Sequence, residues 1–104
     1  MVGLVVRFRL IDEHAARAFD ALTADAVAAI AAREPGTLVY ATHAVRGDPL
    51  ARVFYELYAD EPAFAAHEEA PHVRAFHARK APLLAGEPRV EFLTPGPAAR
   101  DPRP

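Results

Sequence analysis

His67, His72 and His77 stand five residues apart, and they are the side chains of this sequence with the most chemistry to offer. Histidine exchanges a proton near neutral pH, which suits it to acid–base work. His67 follows Phe64 by three residues, so the two share one helix face. There the imidazole is placed to deprotonate a phenolic or quinol hydroxyl. The structural alternative is a hydrogen-bonded histidine in a helix–sheet seam. His72 follows Pro71 at a helix restart, and either joins that chemistry or caps the broken helix. His77 either reaches the same pocket or stands in solvent. Offsets of five and ten do not converge on one helix face, so no metal site is expected.

Glu56 is a charge in the middle of an apolar stretch, and a carboxylate is seldom buried without a partner. Arg7, Arg52 or a histidine would serve, so Glu56 either positions a base or belongs to an interface ion pair. His43, Tyr40, Tyr55 and Tyr58 are candidates for lining the pocket or an interface. Alternation puts Tyr55 and Tyr58 on opposite faces, so only one of them meets the helices. Arg7 completes the polar set. Phe64, Phe76, Leu83 and the strand aromatics would supply apolar walls.

The surrounding pattern says what holds these residues. Residues 3–10 alternate, with Leu4, Val6, Phe8 and Leu10 opposite Arg7 and Arg9, which is strand period. Asp12 offers an N-cap, and Ala15, Phe19, Leu22, Ala26 and Ile30 form an apolar stripe at helical spacing to about Arg33. Glu34-Pro35-Gly36 stops that helix, with Gly36 free to take positive φ. Residues 37–45 and 52–58 read as strands of an antiparallel hairpin around Gly47-Asp48-Pro49. Asp60 caps a second helical region that Pro71 breaks or kinks and that resumes to about Lys80. Residues 88–93 give a fourth strand. The order β-α-β-β-α-β is the ferredoxin-like, split βαβ arrangement of an α+β fold. Residues 1–93 form one domain, and the proline-rich tail 94–104 reads as a flexible or extended arm.

Composition limits what the domain can be. At 104 residues with 52% hydrophobic and 25% charged side chains, a single soluble globular domain is expected. A net charge of −2 gives no basic footprint for nucleic acid. The absence of cysteine excludes disulfides and thiolate chemistry and fits a reducing, cytoplasmic setting. No leader pattern and no apolar run of membrane-spanning length is apparent, so no membrane association is expected. The strands are apolar on both faces: Val53, Tyr55 and Leu57 oppose Phe54 and Tyr58, and Leu38 and Tyr40 oppose Val39 and Ala41. Two helices cover only one face of such a sheet, so the other is expected to pack on a second copy.

The segment EPGTLVY (34–40), the run VFYELYADEPAFAAH (53–67), EEAPHVRAF (68–76) and a closing VEFL (90–93) resemble the antibiotic biosynthesis monooxygenase (ABM) domain family over residues 3–93. The resemblance implies a dimeric α+β barrel, two sheets packed face to face, with a pocket between sheet and helices in each subunit. It also implies a cofactor-independent monooxygenase acting on a quinol or a polyphenolic or polyketide aromatic with O2. An aromatic anion can reduce dioxygen directly, with His67, His72 and Glu56 as catalytic candidates. Arg7, Tyr40, Tyr55, Tyr58, Phe64, Phe76 and His77 would then contact substrate. Haem-degrading relatives carry their iron-ligating histidine where His77 falls, which opens haem binding as an alternative. A non-catalytic barrel binding a small apolar ligand is another. Relatives that degrade haem or oxidise polyketides use an asparagine and a tryptophan, and this sequence contains neither. Arg7 falls at the asparagine's place in the haem-degrading relatives and His67 at the tryptophan's.

Overall fold

A computed structural model describes residues 1–100 of the 104, so the end of the proline-rich tail lies outside the described residues. Four strands form one antiparallel sheet: β1 (Val2–Arg9), β2 (Thr37–Val45), β3 (Asp48–Tyr58) and β4 (Arg89–Leu93). Their order is β2-β3-β1-β4. Helices α1 (Glu13–Arg33), α2 (Glu61–Glu69) and α3 (Pro71–Lys80) cover one face. The fold is the expected ferredoxin-like α+β arrangement, with a short 3-10 turn, Ala81–Leu83, leading from α3 towards β4.

The local reasons are those the sequence carries. Asp12 caps α1 by accepting from the Ala15 N–H at 2.7 Å, and Asp60 caps α2 through Ala63 at 2.8 Å. Phe19, Ala26 and Ile30 bury the inner stripe of α1 against the sheet. Leu4, Val6 and Phe8 of β1 and Phe54 and Tyr58 of β3 meet them. The centre is aromatic: Phe8 lies 4.8 Å from Phe54 and 5.2 Å from Phe19, in tilted and edge-on pairings that suit ring quadrupoles.

Two expectations are corrected. Gly36 does not take positive φ; among the described residues the glycines that do are Gly47 and Gly86. Gly36 is small for another reason: a Cβ there would stand 2.6 Å from the Ala63 Cβ, so the turn after α1 packs directly on α2. The hairpin turn is tighter than read, because Gly47 at φ 78° reverses the chain and β3 already begins at Asp48. Pro49 is accommodated in the register break at the hairpin's end, where no ladder bond is lost. The tail from Thr94 to Ala99 is irregular and mostly exposed, and it borders a depression on the far sheet face with Gly3, Tyr55, Leu57 and Leu93.

Candidate active site

The break at Pro71 organises the site. Ala70 is held extended, as a residue before proline prefers, and the chain turns sharply between α2 and α3. His67 from the end of α2 and His72 from the start of α3 therefore converge on one carboxylate, Glu34, at the C-terminus of α1. The His67 Nδ1 lies 2.7 Å from one Glu34 oxygen, and the His72 Nε2 is hydrogen-bonded to the other. Thr37 Oγ1 donates to the first oxygen at 2.7 Å. Five-residue spacing does not converge on a continuous helix, but across this break it does. His72 caps no helix end, since α3 has no side-chain cap.

Burial pushes the Glu34 carboxyl up, but hydrogen bonds from Thr37, His67 and His72 outweigh it and hold it below the usual carboxylate range. An ionised carboxylate only accepts, so the His67 Nδ1 carries the proton in that bond. The Nε2 edge of the ring is thereby directed away from Glu34, towards Glu56 on the sheet.

On the sheet side, Tyr40, Glu56, Leu4 and Phe92 are register partners across all four strands and form one row on the helix-facing surface. Glu56 is 5% exposed and accepts a 2.5 Å hydrogen bond from the Tyr58 hydroxyl. The His67 Nε2 lies 3.9 Å from the same Glu56 oxygen. Burial raises the Glu56 carboxyl despite Tyr58 and His67. Burial, with Glu56 next in effect, also keeps Tyr40 and Tyr58 protonated far above the usual phenol range.

Between this row and α2–α3 opens a cleft of about 780 Å³. Leu4, Val6, Phe8, Phe64, Val90 and Phe92 make its apolar walls, and Tyr40, Glu56, His67, Glu68, His77 and Lys80 bring polar atoms to it. His77 is at the more open side, 4.0 Å from Glu68 and stacked on Phe76; burial and then Lys80 lower its pKa. Tyr58 packs at 5.0 Å against the His67 ring, behind the cleft wall.

Some candidates lie elsewhere. Arg7 and Tyr55 are on the opposite face of the sheet, because helix-facing positions of β1 and β3 are the even-numbered ones. Arg7 pairs there with Asp48 at 3.4 Å, and Arg52 pairs with Asp20 of α1, so neither arginine serves Glu56. Phe76 belongs to the core and does not line the cleft. His43 binds the Val53 carbonyl at the β2 edge. His72 stands behind His67 on Glu34, outside the cleft lining.

Two site residues were missed by sequence reasoning. Glu34 was read only as part of a helix stop. Its signal was electrostatic: a carboxylate at a helix C-terminus opposes the helix dipole and needs cationic or donor partners. Lys80 was read only as the end of a helix, although it continues the buried stripe Val73–Phe76 at helical spacing.

The sequence matches the model of the antibiotic biosynthesis monooxygenase family over residues 1–79. No curated protein matches in sequence. Among solved structures, a candidate antibiotic biosynthesis monooxygenase from Caulobacter crescentus is 29% identical with a TM-score of 0.83, covering 88% of this chain and 86% of its own. A Mycobacterium tuberculosis protein is 26% identical at a TM-score of 0.83, covering 94% and 97%. SnoaB, a cofactor-independent oxygenase from Streptomyces nogalater, is 20% identical at a TM-score of 0.81 over 96% and 97%, which is a likeness of fold. With its family model spanning most of the sequence, the chain belongs to the antibiotic biosynthesis monooxygenase family.

Proposed function

We propose that this chain is a cofactor-independent monooxygenase that oxidises a quinol or polyphenolic aromatic with O2. The observation that carries the proposal is His67: its Nδ1 is fixed on Glu34 at 2.7 Å while its ring lines an apolar cleft. The cleft volume of about 780 Å³ suits a ligand of a few fused rings. SnoaB, which shares the fold, acts without a cofactor.

In this reading the His67 Nε2 takes the hydroxyl proton of the bound aromatic. The resulting imidazolium lies between Glu34 and Glu56, both buried carboxyl groups. The aromatic anion then gives an electron to O2, and the two radicals combine at a ring carbon. Loss of water completes the reaction. For a simple hydroquinone the balance is quinol plus O2 to hydroxyquinone plus water. One oxygen atom enters the ring, the other leaves as water, and all four electrons come from the substrate. Apolar walls keep bulk water from the anion and its oxygen adduct.

The test is oxygen uptake with a panel of quinols. His67→Ala should lower the rate by about 10²–10⁴, the usual worth of a positioned base. No uptake across the panel would remove this reading and return the non-catalytic, ligand-binding barrel. The second reading is haem binding through His77, favoured because that imidazole lines the cleft with its neutral form favoured. A Soret shift with haemin that His77→Ala abolishes would support it, and no shift would remove it.

We also assign the far sheet face to a second copy of the chain. Val5, Val39, Ala41 and Val53 are only half-buried there, and Tyr55 is exposed. A sheet-on-sheet contact would cover them.

A further inference from the structure

We propose that Lys80 makes the cleft selective for aromatics that carry an acidic group, a carboxylate or a second ionised hydroxyl, and that its ammonium binds that oxyanion. The inference rests on the cleft being a site for an aromatic, and adds which aromatic it takes.

The geometry is unusual for a lysine. Lysine is almost never fully buried unless paired, yet Lys80 is only 8% exposed. Its Nζ sits 4.7 Å from the Phe8 ring centroid and 4.8 Å from that of Phe76. Those ring faces attract the cation, but they cannot accept its hydrogen bonds as an oxygen does. Among the described residues Lys80 makes no ion pair and no side-chain hydrogen bond, although the ammonium has three protons to donate. It lines the same cleft as His67.

The other charged or titratable groups on the cleft do not satisfy it. Glu56 on β3 is engaged by Tyr58, Glu68 on α2 faces His77, and Glu87 follows the Gly86 turn. Tyr40, His67 and His77 complete the set. None lies within ion-pair distance of the Lys80 Nζ. Glu56 and Glu68 raise the Lys80 pKa only in part, and burial outweighs them, bringing it down to about 8. An anionic ligand oxygen would restore what burial has removed. It would gain a charge-assisted bond in an apolar setting, where such a bond is strongest.

The position also divides labour within the cleft. His67 is on α2 beside the β2–β3 half of the sheet, with Tyr40 and Glu56. Lys80 closes α3, above Phe8 of β1. A ligand that spans them presents its reactive hydroxyl to His67 and its acidic substituent to Lys80, which fixes which ring carbon meets oxygen.

The experiment separates binding from turnover. Anaerobic titration compares 2-naphthoate with 2-naphthamide, which match in shape and differ in charge. The wild-type protein should bind naphthoate at least tenfold more tightly. Lys80→Met should erase that preference and leave naphthamide affinity within about twofold, whereas Lys80→Arg should keep the preference. Equal binding of the two probes by wild type, no binding of either, or a preference that survives in K80M would overturn the proposal. Should K80M fail to fold, reductive methylation of the wild-type protein decides: naphthoate, and not naphthamide, should protect Lys80 as read by peptide mass. Equal protection would overturn it. Quinol oxidation without an anion preference would sink this proposal and leave the monooxygenase reading standing, and an anion preference without oxygen uptake would do the reverse.

Discussion

Removing the Glu34 carboxylate should be among the most destabilising single changes in the protein. In Glu34→Ala, Thr37, His67 and His72 all lose their acceptor at once. The two histidine side chains are 3% and 11% exposed, so water replaces the carboxylate poorly. A hydrogen bond to a charged group is worth about 1.5–3 kcal/mol, and three on one carboxylate are not additive. A loss of about 3–4 kcal/mol follows, or about 12–25 °C in Tm for a domain of this size. Glu34→Gln should be milder, near 1–2 kcal/mol, because the amide oxygen can still serve His67 and Thr37 while its NH2 faces His72. The pH dependence has a definite sign. The Glu34 pKa is lower in the folded state than the ordinary 4.5, so its contribution is present above 4.5 and is lost as pH falls through the folded value. Urea unfolding of wild type and E34A should therefore give a wide gap at pH 7 that narrows below about pH 4. Glu69→Gln, on an exposed carboxylate of α2, should shift stability by no more than about 0.5 kcal/mol. A gap under 1 kcal/mol at pH 7 would refute the clamp, as would one that stays constant to pH 3.

Gly36→Ala places a methyl group 2.6 Å from the Ala63 Cβ and should cost about 1–3 kcal/mol in denaturant unfolding; a neutral effect would mean the turn after α1 yields freely. Tyr55→Asp puts a charge on the far sheet face without touching the cleft. Light scattering should show the wild type as a dimer and Y55D as a monomer that still binds naphthamide; a monomeric wild type would remove the sheet-to-sheet assignment. For the acid–base role, H67A should lose quinol-driven oxygen uptake while retaining naphthamide binding, and loss of both would reduce His67 to a packing residue.

The frame was legible because it rests on local rules. Alternation in residues 3–10, Asp12 and Asp60 as caps, and Pro71 before the second half of the helical region each act within a few residues. That Tyr55 and Tyr58 lie on opposite faces followed from the same alternation; which of them meets the helices did not. What was not legible depends on distance through space. Arg7 looked available to Glu56, but in β1 it is the neighbours at even positions that face the helices, and Asp48 was in reach on the other side. His72 looked like a cap because the carboxylate it binds is not local: Glu34 is 38 residues away in sequence.

Glu34 and Lys80 were overlooked for one physical reason, and together they define the site. Glu34 is a carboxylate at a helix C-terminus, where the dipole disfavours it, and Lys80 suits its helix end by charge but falls on a buried helical stripe. Such residues cost stability unless something distant satisfies them. For Glu34 that something is on the page, in Thr37 and two histidines. Lys80 has two ring faces and the longer-range pull of Glu56 and Glu68, and none of these accepts a hydrogen bond from its ammonium. The two charges thus differ: Glu34 has its hydrogen-bond partners and holds His67 in place, whereas Lys80 has no hydrogen-bond acceptor among the described residues, which is the ground for the proposed anion site. Under the proposed function, one charge fixes His67 as the base and the other is free for an oxyanion, so the cleft would choose a substrate by its anion as much as by its ring.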